Sequence, residues 1–501
     1  MKLTLLGHNY RYAAEQILLM MFPGELPEYG ESASGYAATV KLTRAARFVT
    51  ARTVIRGGEG SASGVSRAAA SSLTGELERD RVLQRIIKLS FYRAAARLTG
   101  YAPAWGALTG VRPSTIVSKL LRRGVSEESA VKTLTRDYFV SPPRAALCLD
   151  AARAELAAAK TLKARDVALY IGIPFFPTRC AYCSFVSHSV EKSMKLIEPF
   201  LAALSVETDA LAAAVRSSGR RIVSVYIGGG TPTTLTATQM DALLKKLAEA
   251  FDLSCVREYT VEAGRPDTIT REKLRVMKAR GVTRVSVNPQ TMSDRVLRAI
   301  GRRHTAQEAR DAVALVREVG IAALNMDLIA GLPGDTESGF SASLEEALSL
   351  APENITVHTL SLKKGARIKL EAVPVPLGDA VAAMLGRAQT LLRGADYAPY
   401  YLYRQKFASG GFENTGWSRA GHNGLYNICM MDELTSVLSL GGGGVTKLVS
   451  RAGGKIERIF NPKYPYEYIE RMERIAAGKK RIQEFFMTEE RRDAISSITD
   501  Q

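Results

Sequence analysis

Residues Tyr170–Ser187 read YIGIPFFPTRCAYCSFVS. The stretch opens inside an apolar run, Val167 to Phe175, of the kind that forms a buried strand. It breaks at Pro177 and then presents Cys180 and Cys183. Thiolates separated by two residues on one loop can hold the same metal centre. Half of a zinc site would look the same, but no second C-x2-C pair exists to complete it.

Downstream, apolar strands alternate with amphipathic helices. Six strand candidates follow in order: Val167–Pro174, Ile222–Ile227, Glu258–Glu262, Arg284–Val287, Ala322–Ile329 and Ile355–Leu360. Between them lie helical stretches at Lys195–Val215, Thr238–Phe251, Thr270–Arg280, Thr305–Val319 and Glu337–Leu350. Strict alternation demands a parallel sheet with right-handed crossovers. The fold class is therefore α/β, a partial (β/α)6 TIM-like barrel, with an α+β N-terminal region and a mixed C-terminal extension. In such barrels the chemistry sits where the strands end.

The polar motifs fall at those ends. Cys180 and Cys183 follow the first strand, and Gly228-Gly229-Gly230-Thr231-Pro232 the second. Glu262 ends the third within VEAGRPD, and Asn288-Pro289-Gln290 ends the fourth. Asp327 lies near the end of the fifth, before Gly331-Leu332-Pro333-Gly334, and His358 lies on the sixth. A glycine run is often only a tight turn and a carboxylate at a strand end often only a helix cap. Five such features at five successive strand ends point to one rim.

At 501 residues the chain needs two or three domains. The expected division is 1–165, a basic N-terminal domain; 166–365, the barrel; and 366–501, an extension that covers substrate. No apolar run reaches the ~18 residues of a membrane span, and the first residues lack a signal-peptide pattern, so a cytoplasmic location is expected. Five scattered cysteines suit reduced thiols, not disulfides. The net charge of +18 is uneven. Residues 1–165 hold 25 Lys and Arg against 13 Asp and Glu, giving +12 and leaving +6 for the rest. Such a region attracts a polyanion or is simply a solvated surface.

Within the N-terminal third, Val40–Val54 reads as one or two strands, and Gly57–Ser66 (GGEGSASGVS) as a flexible loop. A helix is expected over Leu77–Leu98, another from Ser114 with that serine as N-cap, a third from Ser126 and a fourth over Ala145–Leu162. Trp105 is expected to pack. Toward the C-terminus, Tyr397–Tyr403 is aromatic, Gly441–Gly444 forms a tight turn and Tyr466–Glu484 reads as one helix.

These motifs together resemble the radical SAM superfamily, and within it the oxygen-independent coproporphyrinogen III oxidase group. The residues that carry the likeness are YIGIPFFPTRCAYCSF, YIGGGTPT, VEAGRPD, GVTRVSVNPQTM with IGRRHT, NMDLIAGLPGDT and ITVHTLSLKK, with later support from PYYLYRQK, ENTGW and LYNICMMDELTSVLSLGGGGVTKLV. The N-terminal third matches only through WGALTGVRPS. The resemblance implies a [4Fe–4S] cluster with Cys180 and Cys183 each on one iron and S-adenosyl-L-methionine on the unique fourth iron. It implies that Gly229, Gly230 and Thr231 meet the methionine moiety, that Glu262, Gln290, Arg302 and Asp327 contact the cofactor, and that Tyr170 and Tyr182 flank it. It further implies a 5′-deoxyadenosyl radical that takes hydrogen from propionate side chains, two of which become vinyls to give protoporphyrinogen IX. The implied partners are a porphyrinogen and an electron donor. Lys363, Lys364, Arg404 and Lys406 are candidate carboxylate-binding cations.

The family loop is C-x3-C-x2-C, and Phe176 stands at its first cysteine position. Phenylalanine has no lone pair for iron, so activity of this chain is expected to be impaired. Of the other groups, Cys148 and Cys255 are expected to be remote from the loop, Cys429 is unplaced, and His188 is the local candidate for a third ligand. Two other functions compete: a haem-binding carrier on the same fold, and an RNA-modifying radical SAM protein suggested by the basic N-terminal third, although nucleic acid is the less favoured partner.

Overall fold

A computed structural model describes all residues except 31–34, 59, 179, 183–187, 190–193, 362–367, 369–370, 372, 377, 406–410, 451–455 and 500–501. By compactness the chain divides into one unit of residues 1–149 with 410–412, and a second of 150–409 with 413–501.

The first unit is built on a four-stranded sheet in sequence order: β1 (Lys2–Leu6), β2 (Ala37–Arg44), β3 (Phe48–Gly57) and β4 (Gly60–Ala69). β1 runs parallel to β2, and the other neighbours are antiparallel. The helices Arg11–Met21 and Glu76–Thr99 bury one face through Ala14, Ile17, Leu83, Ile87 and Phe91. From Gly60 on, the glycine-rich stretch is thus a strand and not the expected loop. Its small residues have a packing reason. A Cβ on Gly64 would stand 2.1 Å from the Ser90 carbonyl, so glycine lets the long helix lie directly on β4. Trp105 is buried, as expected. The helix Ser114–Arg122 forms, but Pro113 occupies its N-cap and the buried Ser114 makes no cap bond. Ser126 does cap its helix, accepting from the Ser129 N–H.

The second unit holds the parallel strands. They are β5 (Asp166–Ile173), then, after the two-residue pair β6 (Phe175–Phe176) and β7 (His188–Ser189), β8 (Arg221–Gly229), β9 (Glu258–Gly264), β10 (Arg284–Gln290), β11 (Ala323–Ala330) and β12 (Asn354–Thr359). β5 and β8 to β12 lie side by side in chain order, all parallel. Four crossover helices begin on threonine caps, Thr236, Thr270, Thr305 and Thr336, and the first and third are reciprocal capping boxes with Gln239 and Glu308. Each loop that leaves the rim is therefore closed by its own sequence.

The sheet does not close on itself. β13 (Ala398–Arg404) and β14 (Glu413–Ser418) extend it antiparallel beyond β12. β15 (Ser436–Gly441) adds parallel to β5, followed by β16 (Val445–Val449) and β17 (Ile456–Phe460), for eleven strands among the described residues. Strands after residue 365 are thus part of the same sheet. The single helix expected over Tyr466–Glu484 is instead three: Pro465–Glu470, Met472–Ala477 and Lys480–Thr499. A one-residue change of direction at Arg471, between the first two, breaks the regular path. No described helix is long and apolar enough to cross a membrane.

Candidate functional site

Side chains alternate across a strand, so residues i, i+2 and i+4 share a face. In this sheet the outward rows are apolar and buried under the helices: Val261 and Ala263, Val285 and Val287, Leu324 and Met326, Ile355 and Val357. The inward rows are polar. β9 turns in Glu258, Thr260 and Glu262, and β10 turns in Arg284, Ser286, Asn288 and Gln290. β11 contributes Asn325 and Asp327, and β12 contributes Thr356 and His358. They surround a cavity of about 400 Å³.

The floor of the cavity is a hydrogen-bonded network. Glu258 faces Arg284 at 3.7 Å, and Arg284 also donates to the His422 carbonyl at 3.0 Å. Thr260 Oγ1 donates to Glu258 at 3.0 Å. Asn325 donates to Ser286 at 3.2 Å and to Asp327 at 2.8 Å, and accepts from Thr356 at 3.1 Å. Sequence reasoning missed this layer, because each residue reads singly as a polar face of a strand.

The rim carries the expected motif residues. Gly229 ends β8 at φ +107°, and Gly230 follows it. A Cβ on Gly230 would lie 2.2 Å from the Phe175 carbonyl. The Gly230 N–H donates to Ile173 at 2.8 Å and the Thr231 N–H to Phe175 at 2.6 Å, which pins the glycine loop on β5 and β6. Gln290 sits at φ +73°, rare for a bulky residue and strained. Its Oε1 and the Oδ1 of Asn288 are buried with no hydrogen-bond partner among the described residues. Arg302 donates to Tyr182 at 2.9 Å and to the Asn288 carbonyl at 3.4 Å. Burial opposes its charge, but Tyr182 and Cys180 outweigh burial and raise its pKa.

Three acid–base groups face one another. Burial, reinforced by Asp327, pushes Glu262 up to about 7. His358 Nε2 lies 3.5 Å from Asp327 Oδ2. Burial alone would lift the Asp327 carboxyl, but hydrogen bonds from His358 and Asn325 hold it below its usual range. Burial would likewise lower His358, but Asp327 and Asn414 raise it. Two of the three carboxylates in the cavity thus have an internal cation, and Glu262 has none of its own.

Of the residues expected from sequence, Cys180, Tyr182, Gly229, Gly230, Thr231, Glu262, Gln290, Arg302 and Asp327 all line this cavity, as does Phe176. Tyr170 does not. It stacks behind the wall on Tyr226 and Tyr426, with ring centres 6.3 and 6.1 Å away. Cys183, Lys363, Lys364 and Lys406 lie outside the described residues. Arg404 is buried and alternates with Tyr401 and Tyr403, which face the cavity, so it turns away. Cys255 precedes β9 at the far end of the strands, and Cys429 is buried on the helix Leu425–Asp432, where burial pushes its thiol up to about 12. The His188 backbone pairs opposite Phe175 in the two-residue ladder.

A family model described as the Radical SAM superfamily matches residues 171–347. The oxygen-independent coproporphyrinogen-III oxidase-like protein HemZ of Bacillus subtilis is 36% identical over 454 residues, 90% of either chain. This chain belongs to the radical SAM superfamily, in the HemZ-like branch. The heme chaperone HemW of Haemophilus influenzae is 28% identical over 310 residues, covering 61% of this chain and 76% of its own. The solved coproporphyrinogen III oxidase HemN of Escherichia coli shares the fold at a TM-score of 0.51 and 21% identity, covering 65% of this chain and 73% of that one.

Membership of the radical SAM superfamily implies S-adenosyl-L-methionine and a [4Fe–4S] cluster. The cavity fits the nucleotide. Two orphaned amide oxygens require donors, such as an amino group or ribose hydroxyls, and the glycine loop beside them is seated on β5 and β6 by its own N–H groups. The cluster finds a shorter donor set. Among the described residues Cys180 is the one thiol on the cavity, and no group of three His, Cys, Asp or Glu is placed to hold a metal.

Proposed function

We propose that this chain is a radical SAM protein of porphyrin synthesis, shaped to convert two propionates of coproporphyrinogen III to vinyls, with Phe176 weakening its cluster and its turnover. The observation that carries the reading is the pair of orphaned, buried amide oxygens of Asn288 and Gln290 beside the glycine loop, in a chain 36% identical to a HemZ protein along nine-tenths of its length. When bound, the adenosylmethionine beside a reduced cluster supplies hydrogen-atom abstraction. The chain's own residues do the rest. Gly229, Gly230 and Thr231 seat the methionyl end through their backbone. Gln290, Asn288 and Glu262 accept hydrogen bonds from the nucleoside. His358 lines the cavity but is paired with Asp327, as Arg284 is with Glu258 and Arg302 with Tyr182, so an incoming carboxylate would share a cation that already has a partner. Cys180 and Cys183 would hold the cluster, and Phe176 offers it nothing. An electron donor and a cytoplasmic setting belong to the same reading.

The test is anaerobic reconstitution of this chain and of Phe176→Cys, with iron and sulfide counted, followed by incubation with coproporphyrinogen III, S-adenosyl-L-methionine, a one-electron reductant and an electron acceptor. The expected result is a low iron content and little vinyl product for the parent, with both rising in the cysteine variant. A full cluster and normal turnover with Phe176 in place would refute the impairment. Absence of vinyl product from a fully loaded Phe176→Cys would refute the reaction. Similarity to heme chaperones favours a second reading, a haem carrier. Stable axial ligation on haem titration, with no porphyrinogen turnover in either form, would decide for it.

A further inference from the structure

The N-terminal sheet has one face under helices and one face open. Strands β2, β3 and β4 contain no Asp or Glu over their whole length. Their open face carries Lys41, Arg52, Arg56 and Arg67, interspersed with Thr39, Thr43, Thr50, Ser61 and Ser63. Lys41 and Arg52 are direct cross-strand partners. Like charges opposite one another destabilise a sheet. Among the described residues none of these four cations is paired with a carboxylate, so the repulsion is left standing in the free protein. At one end of the face Phe48 is exposed, and the Arg67 guanidinium lies over its ring at 4.7 Å.

We infer that this face binds single-stranded nucleic acid, its phosphates on Lys41, Arg52, Arg56 and Arg67 and a base stacked at Phe48. A polyanion relieves the unpaired repulsion. Cations on adjacent strands are about 5 Å apart, and Arg52 and Arg56 about 13 Å apart along β3, a spread that follows a flexible phosphodiester chain. The exposed ring beside a guanidinium is a stacking platform for a base, which an acidic peptide does not use, and the vesicle arm of the test separates RNA from an anionic membrane. The proposal is independent of the barrel chemistry.

The test is fluorescence anisotropy of the full-length protein with a labelled mixed-sequence RNA 20-mer across salt concentrations. The parent is expected to bind with a log–log salt slope of about −3, the mark of four phosphate contacts on a single strand. Lys41→Gln/Arg52→Gln/Arg67→Gln should weaken binding at least tenfold and flatten the slope. Phe48→Ala should weaken it about tenfold with the slope unchanged. Arg271→Gln/Arg275→Gln, on a helix of the other unit, should have no effect. The positions are exposed, so circular dichroism should be unchanged throughout. Equal affinity in the triple variant overturns the inference. So does equal competition by poly-L-glutamate, or capture by vesicles of phosphatidylcholine and phosphatidylglycerol at 3:1 with no RNA bound.

Discussion

Glu262 is ionised only against burial and the field of Asp327. A carboxyl whose folded pKa stands near 7, above an ordinary 4.5, favours folding below pH 4.5 and loses that contribution as pH rises to 7. Glu262→Gln removes the penalty. Thermal melts of parent and variant should coincide near pH 4.5 and separate progressively up to pH 7, with the glutamine form more stable. Equal melting temperatures at both ends would contradict a raised Glu262. The contribution of His358, paired with Asp327, fades in the same direction. His358 is raised above 6.5, so its contribution is full below that pH and fades as pH rises through the folded value. Its imidazole resonance should titrate above 6.5, and Asp327→Asn should bring the midpoint down. A midpoint unmoved by that change would mean the 3.5 Å contact does not govern the proton.

Strand β4 shows how composition misleads when an element's neighbour is hidden. Gly60 to Ser66 has the glycine and serine of a linker, yet it lies in antiparallel register with β3. The small side chains serve the close approach of the helix Glu76–Thr99. Gly64→Ala should therefore destabilise the N-terminal unit by about 1–3 kcal/mol, because its Cβ meets backbone that cannot yield. Ser63→Ala, one residue away on the open face, should stay within about 0.5 kcal/mol. Urea unfolding followed by limited proteolysis of this unit measures both. An unaffected Gly64→Ala would show that the helix can shift outward.

Across the larger unit, one buried carboxylate ties three distant segments. Glu207, on the helix Ile197–Ser217, pairs with Lys479 at 2.6 Å and accepts from Asn461 at 2.7 Å, from the Gly441 N–H at 2.8 Å and from the Tyr468 hydroxyl. The C-terminal strands and helices are thereby fastened to the first crossover helix of the barrel. Removing one partner strands the other charge in the interior, which costs about 3–5 kcal/mol, whereas replacing both with apolar groups can be near neutral. Glu207→Leu should lower the melting temperature of this unit sharply, and Glu207→Leu/Lys479→Met should recover most of the loss. Additive losses in the double variant would remove the pair as the reason.

What the linear chain determined by itself was the order of elements and the place of the motifs. Alternation of apolar runs with amphipathic helices admits one kind of sheet, and turn chemistry, from the threonine caps to the glycines after β8, is local. What only the tertiary structure decided was which way the faces look. The segment Arg284–Gln290 reads RVSVNPQ, with polar and apolar residues in alternation. Its period announces a strand with one wet face, and nothing in it says whether that wetness is bulk solvent or an enclosed cavity. Curvature of six such strands turns Arg284, Ser286, Asn288 and Gln290 toward Glu262, Asp327 and His358. Likewise no local signal tells β15 to pair with β5, some 270 residues earlier, because pairing depends on edges left open by the rest of the sheet. Period and turn chemistry act over a few residues, whereas enclosure is a property of the assembled surface.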